Sequence, residues 1–243
     1  MQLPLALAFG RVAYDSPTLP NDPARAMRDG DHLSLPVMMG TTRDEARTFV
    51  AFDPEPITPE RYDALLAEAF GDLAGDVAER YPLAAYSSPA VAWATAMTDR
   101  VWACPTLENE QLLAATVPVF AFEFADREAP AIFPFSDDLP GGPYHGSELL
   151  SLFTIDLPGV EIDLSPDQEA LSASMIGYWS NFARTGDPNG GGLPEWRAFT
   201  LRDPSAQSLA PGPEGIGLVD YGAEHQCAFW AELAEREGST SAP

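Results

Sequence analysis

Two short runs along the chain are apolar with almost no interruption, LPVMMG at 35–40 and VPVFAFEF at 117–124. A strand with one wet face alternates apolar and polar residues. A strand covered on both faces, as in a parallel sheet, does not. Both runs therefore predict buried, parallel-type strands. Pro118 stands near the start of the second, where a missing N–H does least harm. Elsewhere the apolar period is that of a helix. Thr58-Pro59 is a hydroxyl cap followed by proline at the first helical position, and Tyr62, Leu65, Leu66, Ala69 and Phe70 then share one face. Ser88-Pro89 opens another helix, with Trp93, Met97 and Val101 on one side. Ser165 and Gln168 have capping-box spacing ahead of Leu171, Met175, Tyr178, Trp179 and Phe182, and Gly186 ends that helix. A last helix is predicted over 223–236, with a loose tail at 237–243. Loops are predicted over about 126–144 and 187–215. The order strand, helices, strand, helix predicts an α/β class with few strands and many helices. Two strands make a thin sheet for 243 residues.

At 45% hydrophobic residues the chain has enough material for a core, and no apolar run reaches the length of a membrane span. The first ten residues lack a basic stretch and a small-residue cleavage site, so they are not read as a signal peptide. Thirteen arginines, no lysine and 37 carboxylates give 13 − 37 = −24. Such a field repels nucleic acid and anionic lipid, so neither is an expected partner, and it favours neutral or cationic small molecules over anionic ones. Charge alone also suggests a carboxylate-rich cation binder, but no D-x-[DN]-x-[DN]-G loop supports it. Cys104 and Cys227 are too few for a zinc site; they are either a disulfide or two buried thiols.

The chain has three histidines, and His145 stands in PYHGSELLSLF between a Gly-Gly-Pro turn and an apolar, helix-like run. On its own it reads either as a structural histidine or as a general base. A base needs an orienting carboxylate, and in open α/β sheets such groups sit just beyond the carboxyl ends of strands. The first predicted strand runs directly into Thr41, Thr42, Arg43, Asp44 and Glu45.

PVMMGTTRDEARTF, PYHGSELLSLF and YWSNFARTGDPN, in that order, resemble the type B carboxylesterase and cholinesterase family. Tyr81-Pro82, Ala103-Cys104-Pro105 and Cys227-Ala228-Phe229-Trp230 agree, and the resemblance extends from about residue 9 to 235. It implies an α/β-hydrolase fold, of which residues 1–236 form the C-terminal portion, and a Ser–Glu–His triad. The family's Gly-x-x-x-Asp-Glu block falls on Gly40 to Glu45, so the resemblance makes Glu45 the triad acid and Asp44 a hydrogen-bonding neighbour. The His-Gly-x-Glu block makes His145 the base and Glu148 a support for its loop. Phe49 would lie near the substrate gorge or in the core, whereas Trp179, Phe182 and Trp196 are assigned to packing. The family's glycine after Asp-Glu is Ala46 here, which matters only if that backbone needs a positive φ. Cysteines in these two contexts are paired in secreted members, which would favour an oxidising compartment; reduced thiols would favour the cytoplasm.

No serine stands in the G-x-S-x-G frame of a nucleophile elbow. Gly146-Ser147 comes nearest, but position 149 is leucine. No HGGG-like stretch offers oxyanion-hole donors. The expected function is therefore carboxylic-ester hydrolysis in which this chain supplies acid and base, while the serine and oxyanion hole come from a missing N-terminal half. That half is the expected partner, a carboxylic ester the expected substrate, and no cofactor or metal is implied. The chain alone is expected to fold poorly or to expose an apolar patch. The alternative is a catalytically silent, esterase-like binding module or a non-functional truncated product.

Overall fold

The computed structural model describes Tyr14, residues 16–155 and residues 162–240, with side chains to Glu237. The first ten residues, read above for a leader, lie outside the described residues. A short helix α1 (Pro23–Asp29) precedes strand β1 (Val37–Thr42). Then come helices α2 (Ala46–Ala51), α3 (Pro59–Phe70), α4 (Ala74–Arg80), α5 (Pro89–Thr98) and α6 (Cys104–Ala114). Strand β2 (Val119–Phe124), helices α7 (Leu149–Leu152) and α8 (Pro166–Thr185), strands β3 (Ala206–Leu209) and β4 (Ile216–Val219), and helices α9 (Tyr221–Glu224) and α10 (Cys227–Thr240) complete the order.

The sheet runs β1-β2-β3-β4; β1 and β3 flank β2 in parallel and β4 is antiparallel to β3. β2 is the central, most deeply buried strand, and its side chains alternate between two cores. Val119 and Ala121 pack with Leu107, Phe199 and Tyr221 on the α6 side. Phe120 and Phe124 pack with Leu171, Met175, Tyr178 and Trp196 on the α8 side. Trp179 and Phe182 join this second core as half-buried neighbours, and the Trp196 indole N–H donates to Ala121 O at 3.0 Å. β1 and β2 pair closely because residue 40 is glycine: a Cβ there would lie 2.0 Å from Phe122 O.

Four corrections to the sequence reading follow. The stretch 187–215, expected as loop, contains β3, and β4 begins just beyond it. Both are four-residue strands, and Gln207 and Ser208 break the apolar run that marks a longer one. The helix expected from Ser88 onward, with Val101 on its apolar side, passes through a π turn at Asp99–Ala103, where Cys104 N–H donates to Asp99 O. Pro105 in the next turn has no N–H to return to Val101 O, and the helix widens there and shifts its face. The helix expected over 223–236 is two helices. Gln226 adopts φ 54, Cys227 is bonded to Cys104, and the chain turns inward at His225. The backbone of α10 continues to Thr240, past the start of the expected loose tail.

Cys104 and Cys227 form a disulfide 123 residues apart in sequence. It joins the start of α6 to the start of α10. Closing so long a loop lowers the entropy of the unfolded chain, by up to about 5 kcal/mol in the chain-entropy account. Mild reduction is therefore expected to lower the urea midpoint clearly; an unchanged midpoint would assign the bond no such role.

Candidate active site

The site is built at the carboxyl end of β1. Its hydrogen-bond ladder continues one residue past the strand, where Arg43 N–H donates to Phe124 O at 2.9 Å. The chain then turns into α2, and Glu45 is the last residue before that helix. Glu45 is 5% exposed. Its Oε1 accepts the Thr42 N–H at 2.8 Å, which folds the carboxylate back over the end of its own strand. Oε2 is left to face away from the strand.

His145 arrives from the loop that follows β2, which contains no helix or strand until α7. The loop is fastened to the β1–α2 turn by Asp44. The Asp44 N–H donates to Pro143 O at 3.0 Å, and its carboxylate pairs with Arg127 at 2.8 Å and Arg47 at 3.2 Å. Arg47 in turn donates to Pro140 O at 2.8 Å. Gly142 has φ 57, and a Cβ there would stand 2.7 Å from Asp44 Oδ2. The Gly-Gly-Pro turn thus lets backbone approach this ion cluster.

The result is a contact between residues 100 apart in sequence: His145 Nδ1 lies 2.5 Å from Glu45 Oε2. The imidazole side chain is 52% exposed and the carboxylate 7%. Nε2 has no hydrogen-bond partner among the described residues, on a side chain that is half exposed. The hydrogen bond to Glu45 raises the His145 pKa above 6.5, against the smaller, opposing effect of burial. This is the arrangement of an oriented general base: one nitrogen donates to a carboxylate, and the other is available to take a proton.

Phe49 tilts against the His145 ring at 5.2 Å and stacks on Trp102 at 5.1 Å, so it lines the imidazole rather than the deep core. Trp102 was not singled out in the sequence; its place on the π turn puts it there. Ala46 has an ordinary negative φ, and its N–H donates to Thr98 Oγ1 at 3.0 Å, so a glycine is not required at that position. Burial raises the Glu148 pKa, and its Oε2 is buried without a hydrogen-bond partner. Thr42 Oγ1 and Ser147 Oγ share that condition. Ser147 is 1% exposed. A hydroxyl so enclosed is not presented to a substrate.

Sequence reasoning missed a second ionic group. His225 is 3% exposed, and its Nδ1 and Nε2 lie 2.6 Å from Asp99 Oδ1 and from Glu123 Oε1. The available signal was Glu123, a lone charge inside VFAFEF.

No helix among the described residues is long and apolar enough to cross a membrane. A family model described as the carboxylesterase family matches residues 2–230. A cocaine esterase of Oryctolagus cuniculus is 28% identical over 209 residues, covering 77% of this chain and 37% of that protein. A para-nitrobenzyl esterase of Bacillus subtilis (strain 168) is 29% identical over 186 residues, covering 74% and 35%. A solved PNB esterase structure superposes with a TM-score of 0.63 at 22% identity, over 87% of this chain and 41% of that one. The likeness gives the fold, part of an α/β-hydrolase. The matches span 35–41% of these relatives' own length.

Proposed function

Because the chain belongs to the carboxylesterase family, we propose that it supplies the acid and base of a Ser–Glu–His ester hydrolase. Glu45 is the acid and His145 the base, and the attacking serine and oxyanion hole come from a complementary segment. The observation that carries this reading is the 2.5 Å contact from His145 Nδ1 to Glu45 Oε2, with Nε2 left without a hydrogen-bond partner among the described residues.

The roles follow from what the chemistry requires. A serine hydroxyl is a poor nucleophile at neutral pH. With Nδ1–H donated to Glu45, the Nε2 lone pair takes the hydroxyl proton as oxygen attacks the ester carbonyl, and it returns that proton to the leaving alkoxide. Glu45 holds the ring in this tautomer and stabilises the imidazolium that forms between the two transfers. Water then repeats the sequence on the acyl-enzyme. Asp44 holds the two backbone segments together, Glu148 supports the loop, and Phe49 with Trp102 forms an aromatic wall beside the ring.

Two further observations support a complementary segment. β1 is an edge strand, its outer side unpaired among the described residues. The orphaned polar atoms of Thr42, Ser147 and Glu148 lie within three residues of Glu45 or His145 in sequence.

An esterase assay tests the proposal. The isolated chain is expected to hydrolyse p-nitrophenyl acetate no faster than buffer does. Mixed with a family segment that carries the G-x-S-x-G elbow, it is expected to restore turnover. Turnover by the isolated chain that tracks with one of its own serines would refute the division of labour.

A further inference from the structure

We propose that the buried network Asp99–His225–Glu123–Arg43 is a positioning device for the Glu45–His145 pair, holding the turn that carries Glu45 at the end of β1. The inference rests on the reading of that pair as acid and base.

The network is complete in itself. Asp99 and Glu123 are 1% and 0% exposed, and each of their four carboxylate oxygens receives a donor. Asp99 Oδ1 takes His225 Nδ1 at 2.6 Å, and Oδ2 takes the Tyr81 hydroxyl at 2.7 Å. Glu123 Oε1 takes His225 Nε2 at 2.6 Å, and Oε2 takes Arg43 Nη1 at 2.8 Å. Both imidazole nitrogens face carboxylate oxygens, and with both carboxyls ionised each nitrogen donates, so His225 is held as a buried imidazolium. Each end of the network is fixed. The Tyr81 hydroxyl accepts the Trp230 indole N–H at 2.7 Å. His225 is flanked by left-handed Gln226 and the Cys104–Cys227 disulfide. The remaining polar and charged groups around it are Tyr221, whose ring is 4.7 Å from the His225 ring, and Glu224, which also pairs with Arg43. The Tyr221 hydroxyl bonds Thr41 Oγ1 on β1 at 2.6 Å, and Glu110 acts on Tyr221 from α6.

The output of this assembly is Arg43. Its guanidinium reaches into the network, while its backbone forms the turn two residues before Glu45. Buried ion sets are often no more stabilising than apolar packing of the same volume, and their best-attested use is to fix one geometry. Here the geometry fixed is the path from β1 into α2. Asp44, paired with Arg127 and Arg47, clamps the same turn from the loop side. Glu45 lies next to both clamps.

The test uses the full chain labelled at histidine, in which His32, His145 and His225 are the three signals to follow by NMR. The carboxylates of Glu45 and Glu148 raise the His145 pKa, whereas the Arg43 guanidinium is directed to Glu123. Bare loss of a distant cation would leave the His145 midpoint unchanged or raise it. Loosening Glu45 lowers it. In Arg43→Met the midpoint is therefore expected to fall toward 6.5, and the low-field Nδ1–H resonance to weaken. Arg43→Gln, which keeps an amide donor for Glu123, reads the same quantity if the first variant does not fold. A folded variant whose His145 midpoint stays or rises overturns the positioning role. Glu45→Gln is the control: it is expected to lower the midpoint by itself. If it leaves His145 unmoved, the acid–base pair is refuted, and the positioning proposal with it.

Discussion

Replacing His145 by alanine is expected to lower turnover of the complemented enzyme by about 10⁴- to 10⁶-fold, the range seen when a triad member is removed. The loss is expected in kcat, because the proposed role of His145 is to act on the serine proton rather than on substrate binding. What survives is the contribution of the oxyanion hole and of binding alone. The pH profile carries a second signature. Proton abstraction needs neutral imidazole, and the hydrogen bond to Glu45 raises the His145 pKa above 6.5. Turnover is therefore expected to rise with pH through a midpoint above 6.5. A reconstituted rate that survives His145→Ala within tenfold, or a profile flat across that range, would place the base elsewhere.

The second large effect belongs to His225. Changing it to alanine leaves Asp99 and Glu123 buried on either side of a cavity with no cation between them. Removing one partner of a buried ion set typically costs about 3–5 kcal/mol, a large share of the 5–15 kcal/mol by which domains are stable. The pH dependence has a definite sign. The folded His225 keeps its proton up to about 9, because the hydrogen bonds and charges of Asp99 and Glu123 outweigh the cost of burial, against 6.5 in an ordinary setting. Its contribution is fully present below 6.5 and is lost as pH rises through about 9. On the acid side, His225 and Arg43 together outweigh the burial of Glu123 and hold its carboxyl below its ordinary range, so its contribution is lost as pH falls through that depressed value. Urea melts from pH 6 to 10 are expected to show wild type losing stability between about pH 6.5 and 9 and levelling off above that. The alanine variant should lack that slope. A variant with the wild-type midpoint would show that the network contributes little.

How much of this was legible in the sequence depends on how far the cause lies from the residue. β1 and β2 announce themselves because burial on both faces demands continuous apolar runs. The caps Thr58, Ser88 and Ser165 act on backbone N–H groups three residues ahead and can be read locally. β3 could not be read, because AQSL owes its strand geometry to pairing with Phe122, Glu123 and Phe124 more than 80 residues earlier. Glu45 and His145 came from motif resemblance rather than from pattern; periodicity alone leaves each as an ordinary polar residue beside a turn. His225 was invisible. It sits in AEHQC, which reads as a solvated helix, and its partners lie 126 and 102 positions away. The same contacts pull it inward, and with the Cys104–Cys227 bond they accompany the break between α9 and α10.

The most direct test of the central claim is labelling with a fluorophosphonate, which reacts only with an activated serine, followed by peptide mapping. The account predicts no label on any serine of this chain, alone or complemented. It predicts label on the elbow serine of the complementary segment, lost when His145 is alanine. Label on Ser147 or any other serine of this chain, or label on the partner that persists without His145, would contradict it.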